Sequence, residues 1–197
     1  MNPKRSLIGF SEAKEGIHTF HTFNPQKNTS NEETFLVASK KEIKQALHLA
    51  NKAFDNIFNY NDNDRYIFLQ LIVEFLTQDY DEIKETYCKE TGLNKNRFEI
   101  EFTRTINTIS TFANLIKDKS WRKISSSSNE EDTPFIEKIR FPIGPVVVFG
   151  ASNFPLAYST AGGDTIAALA SGCPVIVKSH PFHAGTSYLV AKSIIKA

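Results

Sequence analysis

Two short apolar runs, Val146–Phe149 and then Val175, Ile176 and Val177, flank a segment of small residues, and this spacing constrains the fold more than any other feature. The first run lies between Gly144-Pro145 and Gly150, and reads as a strand covered on both faces. Residues 160–170 are rich in alanine and carry the pair Gly162 and Gly163, so their backbone can approach a sheet or a ligand closely. Gly172 is placed to stop that helix in a left-handed turn, and Pro174 leads into the second run. Strand, crossover helix and strand make a βαβ unit, with parallel strands and an expected right-handed crossover.

Charge is sparse in this region. From residue 143 onward only Asp164, Lys178, Lys192 and Lys196 are charged, and six of the nine glycines lie there, which marks the buried, turn-rich part of the chain. The last residues keep a helical apolar pattern, Tyr188, Leu189, Ile194 and Ile195, with no Gly or Pro stop, so the fold is expected to be unfinished. Across 197 residues, 23 basic side chains balance 22 acidic ones for a net charge of +1. No basic block or aromatic-basic stripe points to nucleic acid, and no polybasic amphipathic helix or spanning apolar run points to a membrane. The start, MNPKRSLIGF, lacks the apolar centre of a secretory signal. Cys88 and Cys173 are the only cysteines, too few for a disulfide framework, and a reducing cytoplasm is the expected location.

Upstream, the chain reads as helical. Residues 18–24 alternate and end at Asn24-Pro25, which predicts a strand and a turn, with residues 34–37 as the partner strand. Ser39 and Glu42 form a capping box ahead of a helix whose stripe is Ile43, Ala46, Leu47, Ala50, Phe54, Ile57 and Phe58. Residues 61–64 break that helix and cap a second, with the stripe Phe68, Leu71, Ile72, Phe75 and Leu76. A third helix over residues 81–90 ends at Gly92, and Asn94 caps a fourth, striped by Phe98, Phe102, Ile106, Ile109, Ala113 and Ile116. Stripes at this spacing are expected to be core. Residues 125–132 read as a flexible polar connection, and residues 135–141 as a strand with mixed faces.

Three motifs, GASNFP, AGGDT and GCPVIVKSHP, stand at a spacing that is specific as a set. Together they resemble the start of the cofactor-binding domain of the NAD(P)-dependent aldehyde dehydrogenases. The resemblance is closest to the branch holding the α-ketoglutaric semialdehyde (2,5-dioxovalerate) dehydrogenases and an NADP-dependent fatty aldehyde dehydrogenase. It runs from about Phe20 to the last residue. It implies an α/β fold: a helical layer over residues 1–124, a linker and oligomerisation-type strand over 125–142, and over 143–197 the first βαβα of a Rossmann-like parallel sheet, left incomplete. It also implies homo-oligomers for a full-length enzyme, and helices that carry none of the chemistry.

Asn153 is the leading catalytic candidate. An amide NH2 held beyond a strand end can donate to an oxyanion, although an asparagine after Gly-Ala-Ser serves equally well as a turn residue. The resemblance assigns it the oxyanion role. Lys178 closes the second strand at its carboxyl end, where ligands of open α/β sheets bind, and is otherwise a solvated strand-end lysine. The resemblance puts it on the adenosine ribose or a 2′-phosphate of NADP or NAD, with Ser179 and His180 beside it. Pro181 stands near where many NAD-preferring relatives carry an acidic residue, so a 2′-phosphate meets no repelling carboxylate. Phe149, Gly150, Ala151 and Ser152 would floor the nicotinamide-ribose side. His183, with no clear partner, reads as a surface or loop histidine, and Cys173 as a small buried hydrophobe.

No metal-binding spacing, P-loop or Ser/His/Asp motif is present. Neither cysteine stands in a Gly-Gln-x-Cys-Thr-like setting, and the Glu-Leu-Gly-like stretch of the family's general base is absent from these residues. The expectation is therefore the N-terminal part of an enzyme that oxidises a small aldehyde, with α-ketoglutaric semialdehyde as the candidate, to a carboxylate with NAD(P)+. The alternatives are an inactive truncated fragment and a cofactor- or subunit-binding module.

Overall fold

A computed structural model of the chain describes residues 2–56, 61–119, 121–126 and 135–197. Two antiparallel hairpins come first, β1 (Leu7–Ile8) with β2 (Ser11–Glu12), then β3 (Thr19–Asn24) with β4 (Thr29–Leu36). The partner strand starts earlier than the residue 34 expected from sequence. Asn24 Oδ1 accepts from the backbone N–H of Gln26 and Lys27 at 3.1 and 3.0 Å, and Asn28 adopts φ 54°, so the turn closes at once and pairing begins at Thr29.

Four helices follow: α1 (Lys40–Asp55), α2 (Asp62–Gln78), α3 (Tyr80–Thr91) and α4 (Lys95–Asp118). Their starts follow the local chemistry read from sequence. Ser39 and Glu42 form a reciprocal capping box, Asn61 and Asp64 form another, and Asn94 Oδ1 accepts from Arg97 N–H at 2.9 Å. Gly92 ends α3 at φ 70°, a left-handed position that favours glycine.

Two stripes differ from expectation. On α2 the buried face is Arg65, Leu69, Ile72 and Leu76, while Phe68, Leu71 and Phe75 are only half-buried. That helix is apolar nearly all round and packs on both α4 and the later α6, so its neighbours select the buried face. On α1 the expected stripe is largely open: Ile43 and Leu47 remain 51% and 43% exposed, and the buried residues are Glu42 and Ala50. Ile57 and Phe58, expected on the same stripe, lie outside the described residues.

After α4, β5 (Lys123–Ser126) pairs antiparallel with β6 (Glu137–Ile139), whose three residues are exposed. Ser125 and Ser126 therefore belong to a strand rather than to a polar connection, because ladder pairing uses backbone groups. The rest of the expected connection, residues 127–132, lies outside the described residues.

The βαβα unit then forms as β7 (Val146–Phe149), α5 (Gly163–Ala170), β8 (Val175–Lys178), a 3-10 turn (Pro181–His183) and α6 (Ala184–Lys196). β7 and β8 are parallel and in register from Val146 opposite Val175 to Phe149 opposite Lys178. The expectation of a strand covered on both faces is corrected here. Val148 is buried, but Val147 and Phe149 are 47% and 72% exposed, since only one face of this sheet meets packed residues among those described. α5 starts at Gly163 because the preceding residues are held in a turn, with Gly162 N–H donating to Ser159 O and Gly163 N–H to Ala157 O. A Cβ on Gly162 would come within 2.7 Å of Ser159 N and 2.8 Å of Ala157 O, so glycine is required there.

One continuous core joins these parts. Leu69, Ile72, Ile83, Tyr87, Phe98 and Ile109 of the helical layer pack with Leu156, Ile166 and Val190 of the βαβα unit. Each fully buried apolar side chain of this kind contributes roughly 1.5–3 kcal/mol.

Candidate functional site

Gly150–Tyr158 leaves the carboxyl end of β7 as a loop, and its course is set by three groups of contacts. At its base, Gly150 N–H donates to Lys178 O at 3.0 Å, which joins the ends of β7 and β8. A Cβ at Gly150 would meet Ser159 Oγ at 2.9 Å and His180 N at 3.3 Å, so the backbones approach too closely for a larger residue. Ala151 N–H then donates to Tyr158 O at 2.9 Å, which closes the loop on itself.

The second group contains His183, and the expectation of a partnerless surface histidine is corrected. His183 is fully buried, its Nε2 lies 2.9 Å from Ala151 O, and its Nδ1 lies 3.2 Å from Ser187 Oγ. A carbonyl can only accept, so Nε2 carries the proton and Nδ1 accepts from the serine hydroxyl. Burial holds this imidazole below the ordinary histidine value of 6.5, against the opposing pull of the Ala151 hydrogen bond. His180 stacks on the ring with centroids 5.4 Å apart, and burial followed by the Lys178 charge lowers its pKa as well.

The third group comes from α4, one of the helices expected to pack around the cofactor domain and carry none of the chemistry. Glu101 is buried, and its Oε2 accepts from the N–H groups of both Leu156 and Ala157 at 3.1 Å. Its Oε1 accepts from Tyr87 OH at 2.8 Å and from Arg97 Nε at 2.9 Å. Burial, then the Glu101 hydrogen bond, pushes the Tyr87 hydroxyl well above its ordinary range, so it remains a donor. Arg97 also donates from Nη2 to Asn153 O at 3.1 Å, and its guanidinium lies 4.5 Å from the centre of the Phe154 ring. Two turns further along α4, Arg104 stacks on Tyr158 at 4.8 Å and donates to its hydroxyl.

Asn153 sits at the exposed tip of this loop. Its backbone carbonyl is held by Arg97, while its side-chain amide has no hydrogen-bond partner among the described residues. The Asx-type turn that sequence left open is therefore not formed. Of the other candidates, Phe149 pairs with Lys178, Gly150 meets Lys178 and the His180 backbone, Ser179 lies between those two, Ala151 and Ser152 continue the loop, and Pro181 begins the 3-10 turn on the surface. Lys178 is exposed and forms no ion pair among the described residues. Cys173 is buried, as expected for a small hydrophobe. The described surface hollows lie along the outer face of α4 and between α2 and Phe141, and Asn153 lines neither.

Sequence reading missed Arg97, Glu101, His183 and Ser187. A signal existed for Glu101: it stands between Phe98 and Phe102 on the stripe of α4, where a carboxylate needs several donors to be buried.

Residues 10–197 match the model of the aldehyde dehydrogenase family. The chain is 38% identical over 194 residues to alpha-ketoglutaric semialdehyde dehydrogenase 2 of Azospirillum brasilense, covering 95% of this chain and 37% of that one. It is 38% identical over 168 residues to an alpha-ketoglutaric semialdehyde dehydrogenase of Acinetobacter baylyi, covering 83% and 32%. The chain thus spans about a third of the length of these relatives. Among solved structures, succinate-semialdehyde dehydrogenase from Burkholderia pseudomallei superposes with a TM-score of 0.86 at 20% identity, covering 98% of this chain and 39% of that one. A 1-pyrroline-5-carboxylate dehydrogenase from Thermus with bound NAD gives 0.81 at 22% identity, covering 98% and 36%. At these identities the superpositions establish the fold. No helix among the described residues is long and apolar enough to cross a membrane.

Proposed function

This chain belongs to the aldehyde dehydrogenase family, and from that premise we propose that it supplies the oxyanion donor and one wall of the cofactor site for oxidation of an aldehyde to a carboxylate. The observation that carries the proposal is the unengaged side-chain amide of Asn153 on a loop whose backbone is held from three sides. Such an amide has no internal hydrogen bond to break before it donates to a substrate oxygen that becomes negative as a nucleophile adds to the carbonyl. Its hydrogen bond strengthens as that charge grows, so it lowers the barrier rather than merely binding substrate.

NAD+ or NADP+ is the proposed cofactor, and when bound it supplies the hydride acceptor. The residues present suit a dinucleotide: an exposed Lys178 with no ion pair among the described residues lies at the carboxyl end of a parallel strand, and Gly150 lets the ends of the two strands close together beside it. Lys178 and Ser179 are assigned to the adenosine ribose or its 2′-phosphate, with His180 and Pro181 alongside, and Phe149, Gly150, Ala151 and Ser152 to the nicotinamide-ribose side. No carboxylate occurs from residue 165 to 197, so these residues do not repel a 2′-phosphate. The proposed substrate is α-ketoglutaric semialdehyde, supported by the two relatives of that name at 38% identity. We assign the β5–β6 ribbon to subunit pairing.

The test grafts residues 141–197 into the Azospirillum brasilense relative in place of the matching segment, with Asn153 or with Asn153→Ala. Loss of one oxyanion donor is expected to lower kcat roughly a hundred- to thousandfold, or about 2.7–4 kcal/mol, with cofactor affinity nearly unchanged. A stable graft with Ala at this position and undiminished kcat would sink the assignment.

A further inference from the structure

Glu101 offers two carboxylate oxygens to four donors, and the donors divide evenly between them. Oε2 takes the N–H groups of Leu156 and Ala157, and Oε1 takes Tyr87 OH and Arg97 Nε. Each of its hydrogen-bond partners among the described residues donates, so a carboxylate fits where its amide isostere does not: the NH2 of glutamine would meet two donors on one side. Leu156 and Ala157 lie inside the turn that Tyr158 N–H closes by donating to Phe154 O at 3.2 Å, and because Pro155 has no N–H the carboxylate holds the first N–H groups of that turn. Arg97 ties the two ends of the arrangement together, holding Glu101 with Nε and the Asn153 carbonyl with Nη2 while stacking on Phe154.

We infer that Glu101, acting through Leu156, Ala157 and Arg97, is the positioning residue that sets the orientation of Asn153. It touches no reacting atom. Its contribution to catalysis rests on the reading of Asn153 as the oxyanion donor, whereas its control of the loop stands or falls independently.

The test is read in the 197-residue chain itself, by NMR of the 15N-labelled protein, without any turnover. In the unsubstituted chain the Leu156 and Ala157 amides are expected to be protected from hydrogen exchange. In Glu101→Gln their protection falls by about tenfold or more beyond any general loss, and the side-chain amide signals of Asn153 shift. Ile72→Val serves as the comparison for stability alone: it lowers protection throughout the core and leaves the Asn153 signals in place. If Glu101→Gln loses its cooperative fold, Arg97→Lys decides the matter, because lysine cannot span Glu101 and the Asn153 carbonyl with a fork. Shifted Asn153 signals in that variant support the inference. Unprotected Leu156 and Ala157 amides in the unsubstituted chain, or unmoved Asn153 signals in the substituted ones, overturn it. Either result leaves the kcat experiment on Asn153→Ala to judge the oxyanion reading separately.

Discussion

The helical layer and the two-stranded parallel sheet draw on the same apolar residue types but bury them to different extents. In α2, α3 and α4, Ile72, Ile83, Tyr87, Phe98 and Ile109 are closed off completely. In β7, only Val148 is enclosed, with Val147 and Phe149 on the open side. Helices need only a neighbouring stripe to close a core, and this layer finds its neighbours both within itself and in α5 and α6. A parallel sheet needs cover on both faces, and among the described residues it has cover on one. The loop bearing Asn153 rises from the open sheet but is anchored to the closed layer, through Glu101 and Arg97 of α4 and through His183 ahead of α6.

The contrast predicts unequal penalties for apolar truncation. Ile72→Ala, deep in the closed layer, should destabilise by about 2–5 kcal/mol in denaturant unfolding; a loss below about 1 kcal/mol would mean the layer is not closed. Next in size is His183→Gln, which removes the buried link from α6 to the loop and should cost about 1–3 kcal/mol near neutral pH. Its pH dependence has a definite sign. Because the folded pKa of His183 is lowered, the unfolded chain gains a proton first as pH falls below 6.5, and the stabilisation present above that value is lost down to the folded pKa. The gap between the parent and His183→Gln should therefore narrow on acidification, and a gap constant from about pH 8 to about pH 5 would contradict a buried neutral imidazole.

The smallest effect on stability is expected on the open side of the sheet. Val147→Thr with Phe149→Ser should change unfolding free energy by no more than about 0.5 kcal/mol per site, yet shift sedimentation toward the monomer. A penalty matching that at Ile72, or a parent chain already strictly monomeric, would erase the distinction between the two regions.

Much of the architecture was legible because its signals are local. The capping boxes at Ser39 and Asn61, the left-handed stop at Gly92, and the short apolar runs of β7 and β8 involve residues within a few positions of one another. Where an element had two apolar sides to choose from, as in α2, periodicity could not say which side its neighbours would cover. The early start of β4 was hidden for a related reason: Thr29 to Thr34 is polar, and its pairing was decided by turn closure at Asn24 rather than by an apolar alternation.

The sequence by itself determined the βαβ unit, the helices and the place of Asn153 just beyond a strand end, since hydrophobic period and capping act over a turn or two of chain. Only the tertiary structure decided what holds Asn153. Glu101 reaches Leu156 across 55 positions and His183 reaches Ala151 across 32. Buried hydrogen-bonding groups must find partners wherever the packing of α4 and α6 against the loop brings them, and that juxtaposition is set by the shape of the shared core.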